Sequence, residues 1–123
     1  MNVSLKLLFD GQSALPAATY LLNSGSTLIG SDPNCSLHLD FPSLSRWHCI
    51  VDVAPNAVFI TDLHSLNGTY VNDRRAIRQP LGNADLLRLG ELSFLVGINS
   101  SSDLFTIIVF SVKDNSEVSL SMA

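Results

Sequence analysis

Short runs of β-forming residues, each closed by turn-forming residues, follow one another along the chain, and this spacing most limits the possible folds. Trp47–Val53 is the clearest run, and Pro55–Asn56 turns the chain into the next run, Val58–Asp62. Many short runs at a spacing of about 8–12 residues predict an all-β sandwich or barrel. The remaining runs are Ser4–Phe9, Ala17–Leu22, Thr27–Gly30, Ser36–Leu39, Thr69–Val71, Ala76–Ile77, Leu86–Leu89 and Leu92–Ile98.

The composition fits one packed domain. Of the 123 residues, 46% are hydrophobic and 15% are charged, which is compatible with a buried core formed without a metal or disulfides. The net charge of −4 disfavours a nucleic-acid partner, because duplex-binding proteins usually present a broad basic surface. Most basic side chains nevertheless fall between residues 46 and 88, which indicates a local anion site: Arg46, Arg74, Arg75, Arg78 and Arg88.

The cysteines and the apolar runs bear on the location of the protein. Cys35 and Cys49 are too few for a disulfide framework. The N-terminus lacks a secretory signal pattern, and no stretch reaches the roughly 18 apolar residues of a membrane span. We therefore expect a cytoplasmic protein that does not insert into a membrane.

Two kinds of chemistry are weighed and set aside. Cys35 and His38 have the spacing of metal ligands, but residues three apart on a strand point to opposite faces, so we expect no metal. Ser45, His48 and Asp62 are the residue types of a catalytic triad. The nucleophile pattern G-x-S-x-G, the dinucleotide pattern G-x-G-x-x-G and the P-loop are all absent from the sequence. We expect no enzyme activity and no cofactor.

An ordered set of motifs carries most of the functional information. The motifs are Gly30–Ser31, the S-x-x-H of Ser45–His48, the Asp62–Asn72 run that contains the N-G-T of Asn67–Thr69, and Leu89–Phe94. Each motif alone is a weak signal, whereas the set in this order and at these spacings is specific. The set resembles the forkhead-associated (FHA) domain, and the resemblance covers most of residues 1–98.

The resemblance implies a β-sandwich of two twisted sheets over residues 1–98, with the binding loops at one end. It implies a protein-interaction module that grips an extended peptide containing phosphothreonine, within a signalling or regulatory assembly. In the family, the Ser of S-x-x-H and the next residue contact phosphothreonine, and the Asn of N-G contacts the peptide; these are Ser45, Arg46 and Asn67. Structural support of the loops falls to Gly30, His48, Gly68 and Thr69.

These residue types suit the implied roles on physical grounds. The short hydroxyl of Ser45 can bond an oxyanion, and the forked guanidinium of Arg46 matches a phosphate. Asn67 offers a donor and an acceptor together, as a peptide backbone requires. In the competing interpretation, Ser45 and Asn67 only form turns. Trp47 is expected partly in the core, and His48 is expected to be a buried, hydrogen-bonded histidine.

Two positions of the binding set depart from the family pattern. Ser31 stands where the family has an Arg that contacts the phosphate, and Leu66 stands where Thr, Arg or Lys is common. Because one charge-assisted hydrogen bond is worth about 1.5–3 kcal/mol, this loss predicts an affinity for phosphothreonine weaker by at least about tenfold. The alternative function is a phosphate-independent scaffold of FHA fold, as in secretion-apparatus proteins. Arg46 could supply replacement charge together with arginines of a later loop, or that loop is only a solvated segment. The arginines of the later loop are Arg74, Arg75 and Arg78.

Residues 99–123 form a separate region of the sequence. A Ser-rich junction at Asn99–Ser102 precedes the apolar run Phe105–Val112, and a polar turn leads to Glu117–Met122. This pattern predicts a hairpin-like extension. The extension adds strands to the sandwich, mediates self-association through residues 104–122, or begins a further region.

Overall fold

The computed structural model describes residues 1–9 and 18–99, and within these ranges the chain forms strands and turns without a helix. The all-β prediction is therefore confirmed. These ranges hold no helix long and apolar enough to cross a membrane. The strands are β1 Asn2–Phe9, β2 Ala18–Leu22, β3 Gly25–Gly30, β4 Leu37–His38, β5 Cys49–Val53, β6 Val58–Asp62, β7 Thr69–Val71, β8 Arg74–Arg75, β9 Arg78–Leu81, β10 Leu86–Leu89 and β11 Leu92–Asn99.

The strands form two sheets that share one apolar core. The first sheet has the order β2-β1-β11-β10-β7-β8, and the second has the order β4-β3-β5-β6-β9. Neighbouring strands are antiparallel, except for the short parallel pair of β3 and β4. Alternate residues face the core, as in β5, where Cys49, Val51 and Val53 are buried. The same alternation in β11 buries Phe94 and Val96 between the sheets.

The alternation of β5 breaks at the two residues that precede the strand. A strand over Trp47–Val53 would place the Trp47 indole on the core face, together with Cys49. In the structure β5 begins at Cys49, the Trp47 side chain is 54% exposed, and His48 is fully buried. His48 turns inward because both of its ring nitrogens meet backbone partners there. The expectation that Trp47 lies partly in the core is therefore wrong.

The predicted run Ala76–Ile77 is the crossover between the sheets rather than a strand. β8 ends at Arg75 on the edge of the first sheet, and β9 begins at Arg78 on the edge of the second. The Ala76 N–H donates to the Thr69 carbonyl, and the Ile77 carbonyl accepts from the Asp62 N–H. The expected arginine-rich loop is therefore wrong, because its arginines lie on two edge strands.

The other strand boundaries differ from the predicted ones by a few residues. β1 begins at Asn2, β3 begins at Gly25, and β11 continues to Asn99, the first residue of the predicted junction. Ala17, the first residue of the predicted run Ala17–Leu22, lies outside the described residues. Residues 100–123, the rest of the predicted extension, also lie outside them. Self-association through residues 104–122 thus stays a prediction.

The backbone of Gly30 lies so close to that of Arg46 that the position tests the packing of the two segments. A Cβ atom on Gly30 would lie 2.0 Å from the Arg46 carbonyl oxygen, whereas at Gly82 the nearest atom would be 3.6 Å away. We expect Gly30→Ala to lower the free energy of unfolding by about 1–3 kcal/mol, because the backbones must separate. Gly82→Ala should change it by less than about 0.5 kcal/mol. Urea unfolding measures both variants, and equal stabilities would contradict the observed contact.

Candidate functional site

Three loops and one turn meet at one end of the sandwich, which we call the loop end. They are the β3–β4 loop (residues 31–36), the β4–β5 loop (residues 39–48), the β6–β7 loop (residues 63–68) and the β10–β11 turn at Gly90–Glu91. Backbone and side-chain hydrogen bonds join the β4–β5 loop to each of the other three. The residues predicted for binding are therefore brought together, although up to 36 positions separate Ser31 from Asn67 in the sequence.

Ser45 lies where the three loops join. Its carbonyl accepts a hydrogen bond from the Ser31 N–H at 3.0 Å, and its own N–H donates to Nδ1 of His48 at 3.1 Å. Its hydroxyl oxygen accepts from the Leu66 N–H at 2.9 Å. Because that bond uses only a lone pair, the hydroxyl proton of Ser45 remains available to an anion.

The buried imidazole of His48 connects the β4–β5 loop to the β6–β7 loop. Nδ1 accepts from the Ser45 N–H, so the ring proton must sit on Nε2, which lies 2.9 Å from the Gly68 carbonyl oxygen and donates to it. Burial lowers the pKa of His48, and the Gly68 carbonyl and the Asp62 charge oppose this effect only in part. His48 is therefore neutral, in one tautomer. Both ring nitrogens bond backbone groups, so the imidazole is not placed as a base for the Ser45 hydroxyl.

A carboxylate at the end of β6 holds the β6–β7 loop in shape. Oδ1 of Asp62 accepts from the hydroxyls of Ser65 and Thr69, and Oδ2 accepts from the Ser65 N–H at 3.1 Å. The Ser65 hydroxyl oxygen accepts in turn from the Gly68 N–H at 3.0 Å. Burial opposes ionisation of Asp62, but these hydrogen bonds outweigh it and lower the pKa. Sequence reasoning missed the role of Ser65, although its spacing from Asp62 is typical of a local side-chain-to-backbone turn.

Asn67 joins the β6–β7 loop to the β4–β5 loop. Its Nδ2 donates to the Ser43 carbonyl at 2.9 Å, which leaves the amide oxygen and a second N–H for a ligand. The Ser43 hydroxyl oxygen accepts from the Glu91 N–H at 3.0 Å. The close approach of Ser43 also requires glycine at Gly90, since a Cβ there would lie 2.4 Å from the Ser43 carbonyl oxygen. Sequence reasoning missed Ser43, which anchors Asn67.

The guanidinium of Arg46 is paired inside the loop end. Its Nη2 and Nε lie 2.7 and 3.2 Å from Oδ2 of Asp32, which is almost completely buried. The Asn34 N–H and the Arg46 guanidinium hold the pKa of Asp32 below its usual value. The Arg46 side chain remains 73% exposed, with its guanidinium 5.2 Å from the ring centre of Trp47. Arg46 therefore presents N–H groups to solvent, while Asp32 offsets its charge.

The two positions that depart from the family pattern are both at the loop end. The Ser31 hydroxyl donates to the Leu44 carbonyl at 3.3 Å and supplies no charge. The Leu66 side chain is 87% exposed, although its backbone N–H is bonded to Ser45. Together with Trp47, Leu66 gives the loop end an exposed apolar component.

Cys35 and His38, the two residues considered as metal ligands, do not form a metal site. Cys35 lies before β4 rather than on it, and its thiol donates to the Arg46 carbonyl at 3.2 Å. His38 lies on β4 with an exposed side chain. Within residues 1–9 and 18–99, no group of histidine, cysteine and acidic side chains has the arrangement of a metal site.

The buried neutral His48 predicts a pH dependence of stability. Its folded pKa lies below the value near 6.5 that it has in the unfolded chain, so the unfolded chain binds more protons as the pH falls from about 7.5 to 5.5. We expect the free energy of unfolding to decrease over this window, by at most about 1.4 kcal/mol per pH unit. Asp32 and Asp62, with lowered pKa values, lose their contribution only below about pH 4. Urea unfolding should show a flatter profile for His48→Gln, and an unchanged slope would contradict the assignment.

Comparisons with known proteins show which family this sandwich belongs to. The family model of the FHA domain matches residues 27–90, a range that includes the β3–β4, β4–β5 and β6–β7 loops. The glycogen accumulation regulator GarA of Mycobacterium tuberculosis is 34% identical over 86 residues, which cover 68% of this chain and 53% of GarA. The chain thus spans about half the length of this curated relative.

Solved structures extend the similarity to the whole sandwich. The FHA domain of a Chlamydia trachomatis protein has a TM-score of 0.72 and 30% identity, covering 81% of this chain and all of that domain. A second structure, from a structural and functional analysis of phosphothreonine-dependent FHA domain interactions, has a TM-score of 0.70 and 30% identity. It covers 80% of this chain and 98% of the other. The chain belongs to the FHA domain family, whose members are protein-interaction modules.

Proposed function

We propose that the loop end binds an extended peptide that carries phosphothreonine. The observation that carries this proposal is that two consecutive residues of the β4–β5 loop, which His48 braces from within, keep donors available at the loop end: the hydroxyl of Ser45 and the exposed guanidinium of Arg46. Hydroxyl and guanidinium donors both suit the oxygens of a phosphate. The 30% identical structure from work on phosphothreonine-dependent interactions supports the same ligand class.

The phosphate part of the site would be weak in charge. Asp32 takes two N–H groups of Arg46 and offsets its charge, which leaves the other guanidinium N–H groups for phosphate oxygens. Ser31 adds a hydroxyl but no second cation. We therefore propose modest affinity, set by Ser45 and by the remaining donors of Arg46.

The peptide part of the site would depend on Asn67. Its amide oxygen and second N–H match the backbone N–H and C=O of an extended chain. The bond from Asn67 to the Ser43 carbonyl fixes the amide before a ligand arrives, which reduces the entropy lost on binding. The exposed Leu66 side chain would contact an apolar residue of the peptide.

The wider role proposed is that of an interaction module in a regulatory or signalling assembly in the cytoplasm, without catalytic activity. GarA, a regulator by name, is the relative that supports this role. Cys35 and Cys49 are buried free thiols, which suit a reducing compartment. Burial raises the pKa of both thiols, so neither is a reactive nucleophile.

A phosphate-independent partner is the second candidate. The observation that favours it is the apolar character of the loop end, where Leu66 and Trp47 are exposed and Ser31 replaces a cation. Fluorescence polarisation with a phosphothreonine peptide library and its unphosphorylated twin separates the two candidates. Tighter binding of the phosphorylated members supports phosphate recognition, and equal binding supports the second candidate.

Alanine substitutions test which residues hold the peptide. With the tightest phosphopeptide of the library, we expect Ser45→Ala and Asn67→Ala each to weaken binding by about 1 kcal/mol or more, because each removes hydrogen bonds to the ligand. Ser24→Ala and Asn56→Ala are matched controls, since both residues are exposed and lie in turns far from the loop end. Isothermal titration calorimetry measures all four, and equal losses in variants and controls would place the site elsewhere.

Introducing a cation at position 31 tests whether the loop end accepts a phosphate. The Ser31 N–H bonds the Ser45 carbonyl at 3.0 Å, so an arginine side chain at position 31 starts within reach of the Ser45 hydroxyl. We expect Ser31→Arg to raise the affinity for a phosphothreonine peptide by about tenfold, because a guanidinium–phosphate pair is a strong hydrogen-bonded pair. Titrations should show the gain shrinking with added salt and disappearing for the unphosphorylated peptide.

The same titration distinguishes the second candidate. If Ser31→Arg changes nothing at low salt, the pocket does not accept phosphate. Leu66→Ala should then weaken binding of the natural partner, since the exposed leucine would carry the contact.

A further inference from the structure

A row of stacked side chains crosses the outer face of the first sheet. Tyr70 of β7 pairs with Arg75 of β8 on one side and with Arg88 of β10 on the other, so the three side chains lie on the same face. The guanidinium carbon of Arg88 lies 4.0 Å from the centre of the Tyr70 ring, and that of Arg75 lies 5.8 Å from it. We call these three residues the arginine row.

The charges of the arginine row are not neutralised. Among the described residues, Arg46 and Arg78 each have a carboxylate within 4.0 Å, namely Asp32 and Asp52, whereas no carboxylate lies that close to either guanidinium of the row. The one hydrogen bond from Arg88 goes to the neutral Gly90 carbonyl. The row therefore presents two positive charges on a chain whose net charge is −4.

The arginine row is continuous with the loop end. A Cβ atom on Gly68 would lie 2.8 Å from Cε1 of Tyr70 and 3.2 Å from Nε of Arg75, so both side chains pack directly against the Gly68 backbone. Gly68 follows Asn67, the residue proposed to hold the peptide. At the other end of the row, Arg88 bonds the β10–β11 turn, which contacts the β4–β5 loop through Ser43.

We propose that the arginine row binds the acidic side chains of a peptide whose phosphothreonine occupies the loop end. This inference rests on the proposed function and adds a partner chemistry to it: aspartates or glutamates on one flank of the phosphothreonine. A guanidinium fork matches a carboxylate through paired N–H donors. Stacking on Tyr70 orders both guanidinium groups before the ligand arrives, which lowers the entropy lost on binding.

The test uses peptides that differ in one flank at a time. Fluorescence polarisation compares a phosphothreonine peptide with neutral flanks, one with glutamates on the N-terminal side, one with glutamates on the C-terminal side, and the unphosphorylated twin of each. A peptide with a second phosphothreonine in place of the glutamates is included. The protein variants are Arg75→Gln, Arg88→Gln and the matched control Arg78→Gln. Arg78 is exposed on the outer face of β9 in the second sheet, so replacing it with Gln changes the net charge equally at a different place.

We expect one glutamate-flanked phosphopeptide to bind about fivefold more tightly than the neutral phosphopeptide at low salt, the range for exposed charge pairs. Arg75→Gln and Arg88→Gln should remove most of this preference and leave binding of the neutral phosphopeptide unchanged. Arg78→Gln should keep the preference, and added salt should reduce it in the unaltered protein.

The outcomes separate this inference from the proposed function. Equal binding of neutral and glutamate-flanked phosphopeptides would contradict the proposed role of the arginine row. A preference for glutamate that Arg78→Gln reduces as much as Arg75→Gln does would also contradict it. A gain from the second phosphothreonine without a gain from glutamates also overturns it, because the row would then select phosphate. If glutamates raise the affinity of phosphorylated and unphosphorylated peptides equally and phosphate does not raise it, the result supports the acidic-peptide role of the arginine row. The same result contradicts the proposed phosphothreonine site.

Discussion

The two hydrogen bonds of the buried His48 imidazole hold the loop end together. One ring nitrogen accepts from the Ser45 N–H, and the other donates to the Gly68 carbonyl, so a single neutral side chain fixes the loop of the hydroxyl donor against the loop of Asn67. Only the neutral imidazole can accept and donate at once, and burial keeps it neutral by lowering its pKa. Ser45, Asn67 and Leu66 owe their relative positions to this arrangement.

Around this centre, the loops are organised by polar side chains that bond other groups of the protein. Asp62 and Ser65 shape the β6–β7 loop, Ser43 anchors Asn67, and Asp32 orients Arg46. Such bonds leave fewer rotamers to be lost when a ligand binds, which lowers the entropy cost of binding. In the arginine row, stacking on the Tyr70 ring restricts the guanidinium groups of Arg75 and Arg88 in the same way.

The fold class was predictable because it depends on local signals. Turn residues and alternating apolar residues predicted an all-β sandwich or barrel, and the resemblance of the ordered motifs to the FHA domain implied the sandwich and the binding roles of Ser45, Arg46 and Asn67, which stay predictions. The burial of His48 was expected, but the exposure of Trp47 was not predictable from alternation, since the inward turn of His48 depends in part on a hydrogen bond to Gly68, 20 positions along the chain. The pairing of Arg46 with Asp32 was missed for the same reason, because 14 positions separate the partners. The role of the crossover at Ala76–Ile77 required the sheet order, which strand propensities do not contain.

That crossover has a consequence for how such a domain can diversify. Ala76 bonds the first residue after the β6–β7 loop, and Ile77 bonds the last residue before it, so two adjacent residues fix the separation of the loop's two stems. Between the stems, Ser65 and Gly68 are held by Asp62 and His48, whereas the Leu66 side chain is exposed. Natural variation or directed evolution can therefore change ligand preference at such an exposed position while the two sheets keep their register.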